Sequence, residues 1–420
     1  MEEQIYNKEN YKLHIIKTNR FKTITFDMKF TSIDNLSSLH KTYLLLDMLI
    51  YSCKKYNTKK LLTEKSQELY KVSYDTSYRT IGKYGVLSFT YNFINPKYTT
   101  KDMMEESLNL FKEIYFNPDI KDNLFNEEYF EMIKSKCKTN YELRKENPNF
   151  YLNNQFSKEM FKNTSYAYDN FLVPSLIEKT TNKEVVEEYY NLFKNHNIDI
   201  FVVGDVNEEE ILSYFDNLLK NIKSKYEELS MPYITLNKRK ELKEIKEKSS
   251  FNQSNIRIGY TFSSLTPREK NYCVDVLTTI LGSMSNSILF VNVREKLSLC
   301  YHISSSYSLY TSSIIITSGF SSKNYEKVLK EVDNCIKKIN DIKVIEASLE
   351  NAKNTIITSL NSSNDKIGNI INESYFVSYN IREDIAKSKE EFLSVTAEEI
   401  STLSKKIKKE VIYFLEEENK

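Results

Sequence analysis

Thr23-Ile24-Thr25-Phe26-Asp27-Met28-Lys29-Phe30 alternates apolar and polar residues in the period of a strand with one face buried, and Asn255-Ile256-Arg257-Ile258-Gly259-Tyr260-Thr261-Phe262 does so again about 230 residues later. Each stretch opens the same succession of elements. An apolar helix follows at 43–51 in the first half and at 274–281 in the second. Strand-like segments come next, at 86–93 and 314–318, and then amphipathic helices at 103–115 and 124–141 against 325–339 and 345–360. Each half closes with a helix and a strand: 182–193 with 198–205, and 397–407 with 410–415. The order βαβααβ, written twice, predicts two homologous α+β domains, each a mostly antiparallel sheet covered by helices. The expected boundaries are 1–222 for the first domain and 251–420 for the second, joined by a charged linker at 223–250 that contains Pro232.

Composition agrees with two cores rather than one. A chain of 420 residues with 40% hydrophobic content divides into two domains of roughly 200 residues each. Its 59 basic and 58 acidic side chains are interspersed and leave a net charge of +1. That balance gives no electrostatic footprint for nucleic acid or a membrane surface. The five cysteines Cys53, Cys137, Cys273, Cys300 and Cys335 are odd in number and never paired as Cys-x-x-Cys, which speaks against both a disulfide framework and a thiolate metal site. The N-terminus is acidic with no apolar stretch behind it, and no apolar run approaches the roughly 18 residues that span a bilayer. The expectation is a cytoplasmic protein in a reducing compartment.

The second half carries the sharpest motif. Small residues at Leu281-Gly282-Ser283-Met284-Ser285-Asn286-Ser287 run into Ile288-Leu289-Phe290, and then into Arg294-Glu295-Lys296-Leu297-Ser298-Leu299-Cys300-Tyr301, which reads as strand to loop. The first half ends on Val202-Val203-Gly204-Asp205-Val206, and Gln253 precedes the second opening strand. With the doubled architecture, these residues resemble the insulinase-like (M16) metallopeptidase family over nearly the whole chain. The resemblance implies two domains closing like a clamshell around a cavity. It also implies a zinc site on the first long helix of the N-terminal half.

That helix departs from the family pattern. Active members carry His-x-x-Glu-His there, because two His four apart share one helix face and the Glu between them activates the metal-bound water. Here the helix reads Tyr43-Leu44-Leu45-Leu46-Asp47, so Tyr43, Leu46 and Asp47 occupy the degenerate zinc-motif positions. The four histidines, His14, His40, His196 and His302, include no pair at that spacing. The third ligand position falls in a stretch offering Glu127, Glu128 and Glu131, and a lone carboxylate holds zinc poorly. His40 reads as a helix-start residue, and Asp47 as a carboxylate paired with a lysine or a backbone group. No metal is expected in this chain.

Arg294 and Tyr301 stay in place. In the family these two act near the zinc, the guanidinium gripping a substrate carbonyl and the phenol stabilising the oxyanion. The resemblance therefore implies a heterodimer in which a homologous zinc-bearing subunit supplies the metal and this chain supplies Arg294 and Tyr301 in trans as catalytic and substrate-binding residues for peptide hydrolysis. It extends to the bacterial non-zinc subfamily associated with elongation factor P 5-aminopentanol modification. The rival reading is a non-catalytic peptide-binding or assembly protein, in which Arg294 makes an ordinary salt bridge and Tyr301 caps a core. In either case the edge of the first sheet can take an extended peptide by strand addition. Gly282 to Asn286 lacks the spacing of a phosphate loop and reads as a flexible turn facing a cavity. The short basic runs Lys238 to Lys240 and Lys405 to Lys409 are balanced by neighbouring Glu.

Overall fold

A computed structural model describes residues 2–33, 38–99, 103–167, 174–237, 239–363 and 365–418. Lys238 of the basic run lies outside them. The chain forms two compact units, one of Met1–Leu143 with Asn170–Ser230, the other of Arg144–Asp169 with Met231–Lys420.

The first unit begins with the strands β1 (Glu2–Asn7), β2 (Lys12–Lys17) and β3 (Thr23–Ile33), then helices α1 (Leu39–Leu49) and α2 (Lys59–Glu68). The hairpin β4 (Ser73–Ile81) and β5 (Tyr84–Ile94) precedes α3 (Met103–Phe116), a short hairpin of β6 (Ile120–Lys121) and β7 (Leu124–Phe125), and α4 (Glu127–Lys145). After α5 (Pro148–Met160) come α6 (Pro174–Lys179), α7 (Asn182–Asn195), β8 (Asn197–Gly204) and α8 (Glu208–Leu219). The six-stranded sheet runs β1-β2-β8-β3-β5-β4, antiparallel except for the parallel pair of β2 with β8. Ile24, Phe26, Met28 and Phe30 of β3 face the helices and form the core with Leu44, Leu45 and Phe111, as the alternation predicts.

The polar half of that alternation is buried as well. Lys29 is only 2% exposed; its Nζ lies 2.8 Å from Asp27 Oδ2 and donates to Ser88 Oγ at 3.2 Å. Burial holds its ammonium below the usual lysine range, against the pull of Asp27. Beside it His14 stacks on Phe201 at 4.4 Å and meets Glu3 at 3.0 Å.

The second unit repeats the plan. It holds β9 (Lys243–Ser249), β10 (Ser254–Phe262), a helix over 269–283 with α9 (Val274–Thr278) at its middle, β11 (His302–Ser308), β12 (Ser313–Phe320), α10 (Tyr325–Lys338) and α11 (Ile342–Ser363). It ends with α12 (Ile367–Ser378), α13 (Ile385–Ser394), α14 (Ala397–Ser404) and β13 (Ile407–Glu417). The sheet order is β11-β12-β10-β13-β9, with β9 and β13 parallel. Strand for strand this is the first sheet without its outer β1. The fold is mixed α+β with mostly antiparallel sheets.

Two segments differ from the sequence expectation. Part of the predicted linker is a strand: β9 pairs with β13 as β2 pairs with β8. Its sequence, KEIKEKS, hides the strand because a charged edge strand shows one apolar residue, Ile245, in seven. The rest of 223–250 also packs down, with Tyr226 donating to Asp199 at 2.9 Å in the first unit and Ile234 N–H to the Tyr310 carbonyl at 2.8 Å in the second. In addition, residues 144–169 from the predicted first domain belong to the second unit. Asn147 caps α5 by accepting from the backbone of Asn149 and Phe150, Pro148 sits in the first turn, and Leu152, Phe156 and Met160 cover Val411, Tyr413 and Leu415. Gly259 makes this approach possible, since a Cβ there would lie 2.6 Å from Met160 Sδ. The second sheet has an apolar outer face, and α5 is what removes it from water.

Candidate functional site

On α1 the three degenerate motif positions do structural work. Leu46 is buried, and its carbonyl accepts from Thr76 Oγ1 at 3.0 Å. The Tyr43 ring packs edge-on against Tyr78 at 5.7 Å. Asp47 meets two residues of α4, the Cys137 thiol at 3.9 Å and Lys136 Nζ at 3.9 Å. Burial raises the Asp47 carboxyl above the ordinary carboxylate range, and Lys136 offsets part of that. Burial also pushes the Cys137 thiol up to about 12, with the Asp47 charge adding to it, so it stays protonated.

The acidic residues expected near a third ligand position turn elsewhere. Glu127 accepts from Asn182 Nδ2 at 2.8 Å, and Glu131 pairs with Lys134 at 3.2 Å. Of the two α4 residues that reach Asp47, Lys136 answers the expected lysine partner, and Cys137 is the one that a search for carboxylates passes over. These groups do not fit a zinc ion: an aliphatic side chain, an ammonium beside the single carboxylate and a protonated thiol leave no donor set. His40 is on the same helix, with Nδ1 buried and lacking a hydrogen-bond partner among the described residues, and burial holds it neutral. No group of three or more His, Cys, Asp and Glu suited to a metal occurs among the described residues.

In the second unit the segment from Arg294 to Tyr301 is not the strand-to-loop that its residues suggest. A helix of π type spans Phe290–Lys296. Ile288, Leu289 and Val293 face the core, which overrides the β-branched character of the run and turns Arg294 outward. The helix ends where Ser298 takes the left-handed conformation, φ 48°, with its N–H on the Arg294 carbonyl and the Leu299 N–H on that of Val293. Asn324 Nδ2 then holds the Leu299 carbonyl at 3.1 Å, and the Tyr301 N–H joins Gly319 at 2.9 Å. The preceding small-residue stretch is likewise no flexible turn at Gly282. That residue is buried in the last turn of the 269–283 helix, where a Cβ would stand 2.7 Å from the Ser305 backbone nitrogen.

Arg294 and Tyr301 line one open cavity of about 600 Å³ together with Ser321, Lys323 and Asn324. The guanidinium lies 4.7 Å from the Phe290 ring, and among the described residues no carboxylate pairs with it. Tyr301 is 68% exposed. Behind them Gly319 is hemmed in by His302 and Gln253: a Cβ would meet the imidazole at 2.5 Å and the Gln253 amide nitrogen at 2.9 Å. Burial, and then the Arg294 charge, hold His302 in its neutral form. Cys300 is buried and its thiol is raised by that burial, so it offers no nucleophile.

Comparison with known proteins agrees with this pattern. Residues 180–356 match the family description "Peptidase M16 inactive domain". A protein of Bacillus subtilis named "Probable inactive metalloprotease YmfF" is 26% identical over 412 residues, covering 96% of this chain and 95% of that protein. A solved structure of a conserved protein from Enterococcus faecalis shares the fold over 100% of this chain and 99% of that one, with a TM-score of 0.91 and 23% identity. The M16 inactive domain from Pseudomonas fluorescens shares it at a TM-score of 0.74 and 16% identity, over 100% and 99% of the two chains. The inactive description fits a motif helix with Tyr43, Leu46 and Asp47 where two His and a Glu would bind and use zinc. A doubled fold, a full-length relative and a matched domain together make the chain similar to M16 metallopeptidase homologues described as inactive, and its own α1 lacks the residues of a zinc site.

Proposed function

We propose that this chain is the non-zinc subunit of a heterodimeric M16-type peptidase and completes the active site of a zinc-bearing homologue. The observation that carries the reading is the freedom of two side chains. Arg294 and Tyr301 share the wall of an open cavity, yet among the described residues the first has no salt bridge and the second is largely exposed. A structural arginine and tyrosine would be paired and packed. The backbone, by contrast, is tightly fixed: a left-handed Ser298, the Asn324 amide and Gly319 define where both side chains begin. Rigid support under free polar groups is what preorganised binding requires.

In this reading Arg294 holds a backbone carbonyl of an extended peptide, and the Tyr301 hydroxyl donates to the oxyanion formed at the scissile carbonyl. A neutral His302 leaves the positive charge of the cavity wall to Arg294 and Lys323. The partner is a zinc-bearing M16 subunit, and a peptide is the substrate. A role beside elongation factor P modification rests on the sequence resemblance alone.

The test is reconstitution with a zinc-bearing homologue and steady-state kinetics. Tyr301→Phe should lower kcat about 10²- to 10³-fold with little change in KM, the usual cost of losing one oxyanion donor. Turnover equal to wild type in the Phe variant would overturn the proposal and leave an assembly or peptide-binding role.

A further inference from the structure

The proposed reaction leaves one cation of its cavity without a role. Lys323 lines the same open cavity of about 600 Å³ as Arg294 and Tyr301. It reaches that wall from a different part of the chain, a 3₁₀ turn over Ser322–Asn324 that runs straight into α10. The backbone on both sides of it is pinned. Ser322 N–H donates to Glu417 Oε1 at 3.0 Å, Asn324 Nδ2 to the Leu299 carbonyl at 3.1 Å, and the hydroxyl of Tyr325 to Glu244 at 2.7 Å. The Lys323 side chain itself is exposed, and among the described residues it has neither a carboxylate partner nor a hydrogen bond. Arg294 and Tyr301 show the same combination of a fixed backbone and an uncommitted side chain.

The charge of this cavity is one-sided. Its lining holds two cations, Arg294 and Lys323, and no Asp or Glu. The acids around the turn are engaged elsewhere: Glu417 accepts from Ser254 N–H at 3.2 Å as well as from Ser322, Glu244 accepts from Tyr325, and Glu326 pairs with Lys246 at 3.8 Å. A lone lysine on a convex surface selects nothing, because water screens it on all sides. Two like charges on one concave wall add their potentials and direct them at whatever enters. Asn324, the N-cap of α10, belongs to the same wall, so the positive end of that helix dipole has the same sign. A backbone carbonyl held by Arg294 carries only a partial charge and leaves Lys323 unanswered.

We propose that Lys323 is a specificity-determining residue, and that the cavity selects peptides with a carboxylate close to the carbonyl held by Arg294. The inference rests on the reading of this cavity as the place where a peptide is held. An Asp or Glu side chain and the C-terminus of a peptide share this chemistry. Because the cavity is open to water, one carboxylate gains only about three- to fivefold in affinity, and the gain shrinks with salt.

The full chain alone suffices for the test. Fluorescence anisotropy at low salt would follow alanine pentapeptides that carry the same neutral fluorophore. Three are amidated and have Glu, Gln or Lys at the centre; the fourth is the Gln peptide as the free acid. The Glu peptide or the free acid should bind about three- to fivefold more tightly than the amidated Gln peptide, with the Lys peptide weakest. Lys323→Met should erase the preference and Lys323→Arg should keep it. Lys323→Glu should invert it, a swing of about tenfold or more between the Glu and Lys peptides. All three variants should melt as wild type does, since the side chain is exposed. A larger gain for the Glu peptide marks a site for internal acidic residues, and a larger gain for the free acid marks a site for a peptide C-terminus. The idea is overturned if the Glu, Gln and free-acid peptides bind alike, if the preference survives Lys323→Met, or if no peptide binds up to about 5 mM. Its failure is separable from that of the proposed reaction, which Tyr301→Phe tests in the reconstituted pair while the charge series reads only the wall.

Discussion

The two units share a strand order and differ in what each does with the face of its sheet turned away from its main helical core. In the second, α5 seals that face with Leu152, Phe156 and Met160 against Val411 and Leu415, and Gly259 gives it room. In the first, the corresponding rows hold charge: Asp27 and Lys29 on β3, His14 on β2 and Asp199 on β8, all less than a tenth exposed. The same topology therefore rests on two kinds of energetics. Apolar burial is tolerant and additive, whereas a buried ion pair is worth little as a whole and costs much when half of it is removed. The comparison extends to the sites. The first unit has converted its motif helix into packing around Leu46 and Asp47; in the second, among the described residues, Arg294 has no salt bridge and Tyr301 is largely exposed.

The strongest way to break this comparison is to remove one half of the charged face. Lys29→Met should destabilise the protein by about 3–5 kcal/mol in urea unfolding, because Asp27 is left buried without its cation. Replacing both, Asp27→Leu with Lys29→Met, should restore most of that loss; a double variant as unstable as the single one would show that the face is not governed by the pair. In the second unit the matching lesion is steric. Gly259→Val drives a side chain into Met160 and Phe156 and should cost about 2–3 kcal/mol, and the combined variant with Met160→Ala should lose less than the sum of the two single losses.

A pH series sharpens the contrast further. Burial lowers His196 in the first unit to about 4, so it stays neutral in the folded state while its unfolded form takes up a proton below about pH 6.5. The unfolded chain then binds more protons, and stability falls as pH drops from about 7 to 5, by about 2 kcal/mol from this group. His196→Gln should flatten that part of the profile, and an unchanged slope would assign the acid sensitivity elsewhere. The smallest effect is expected where the side chains are free. Arg294→Ala and Tyr301→Phe should leave unfolding free energy within about 0.5 kcal/mol of wild type, while the kinetics of the reconstituted pair change as described above. Stability losses well beyond that would mean that both residues hold the fold together.

Much of this arrangement could be read from the residues. Strands β3 and β10, the hairpin strands β5 and β12 and the closing pairs of helix and strand follow the apolar period closely enough to show the repeat. One hairpin partner was invisible, because β4 (SYDTSYRTI) is a polar edge strand whose pairing is set by β5 rather than by its own hydrophobicity. The loss of the zinc motif was legible as an inventory of histidines. Its replacement by a contact between Asp47 and Cys137 was not, because that contact joins residues 90 positions apart.

The sequence by itself determined the doubled α+β plan, the absence of a histidine pair on α1 and the presence of Arg294 and Tyr301, since periodicity and residue identity are local properties. Only the tertiary structure decided that Lys29 is buried with Asp27, that 144–169 joins the second unit, that Arg294 stands on a helix and that Lys323 shares its cavity. Each of these depends on which apolar faces must be covered, and that is settled by the whole packed chain rather than by any window along it.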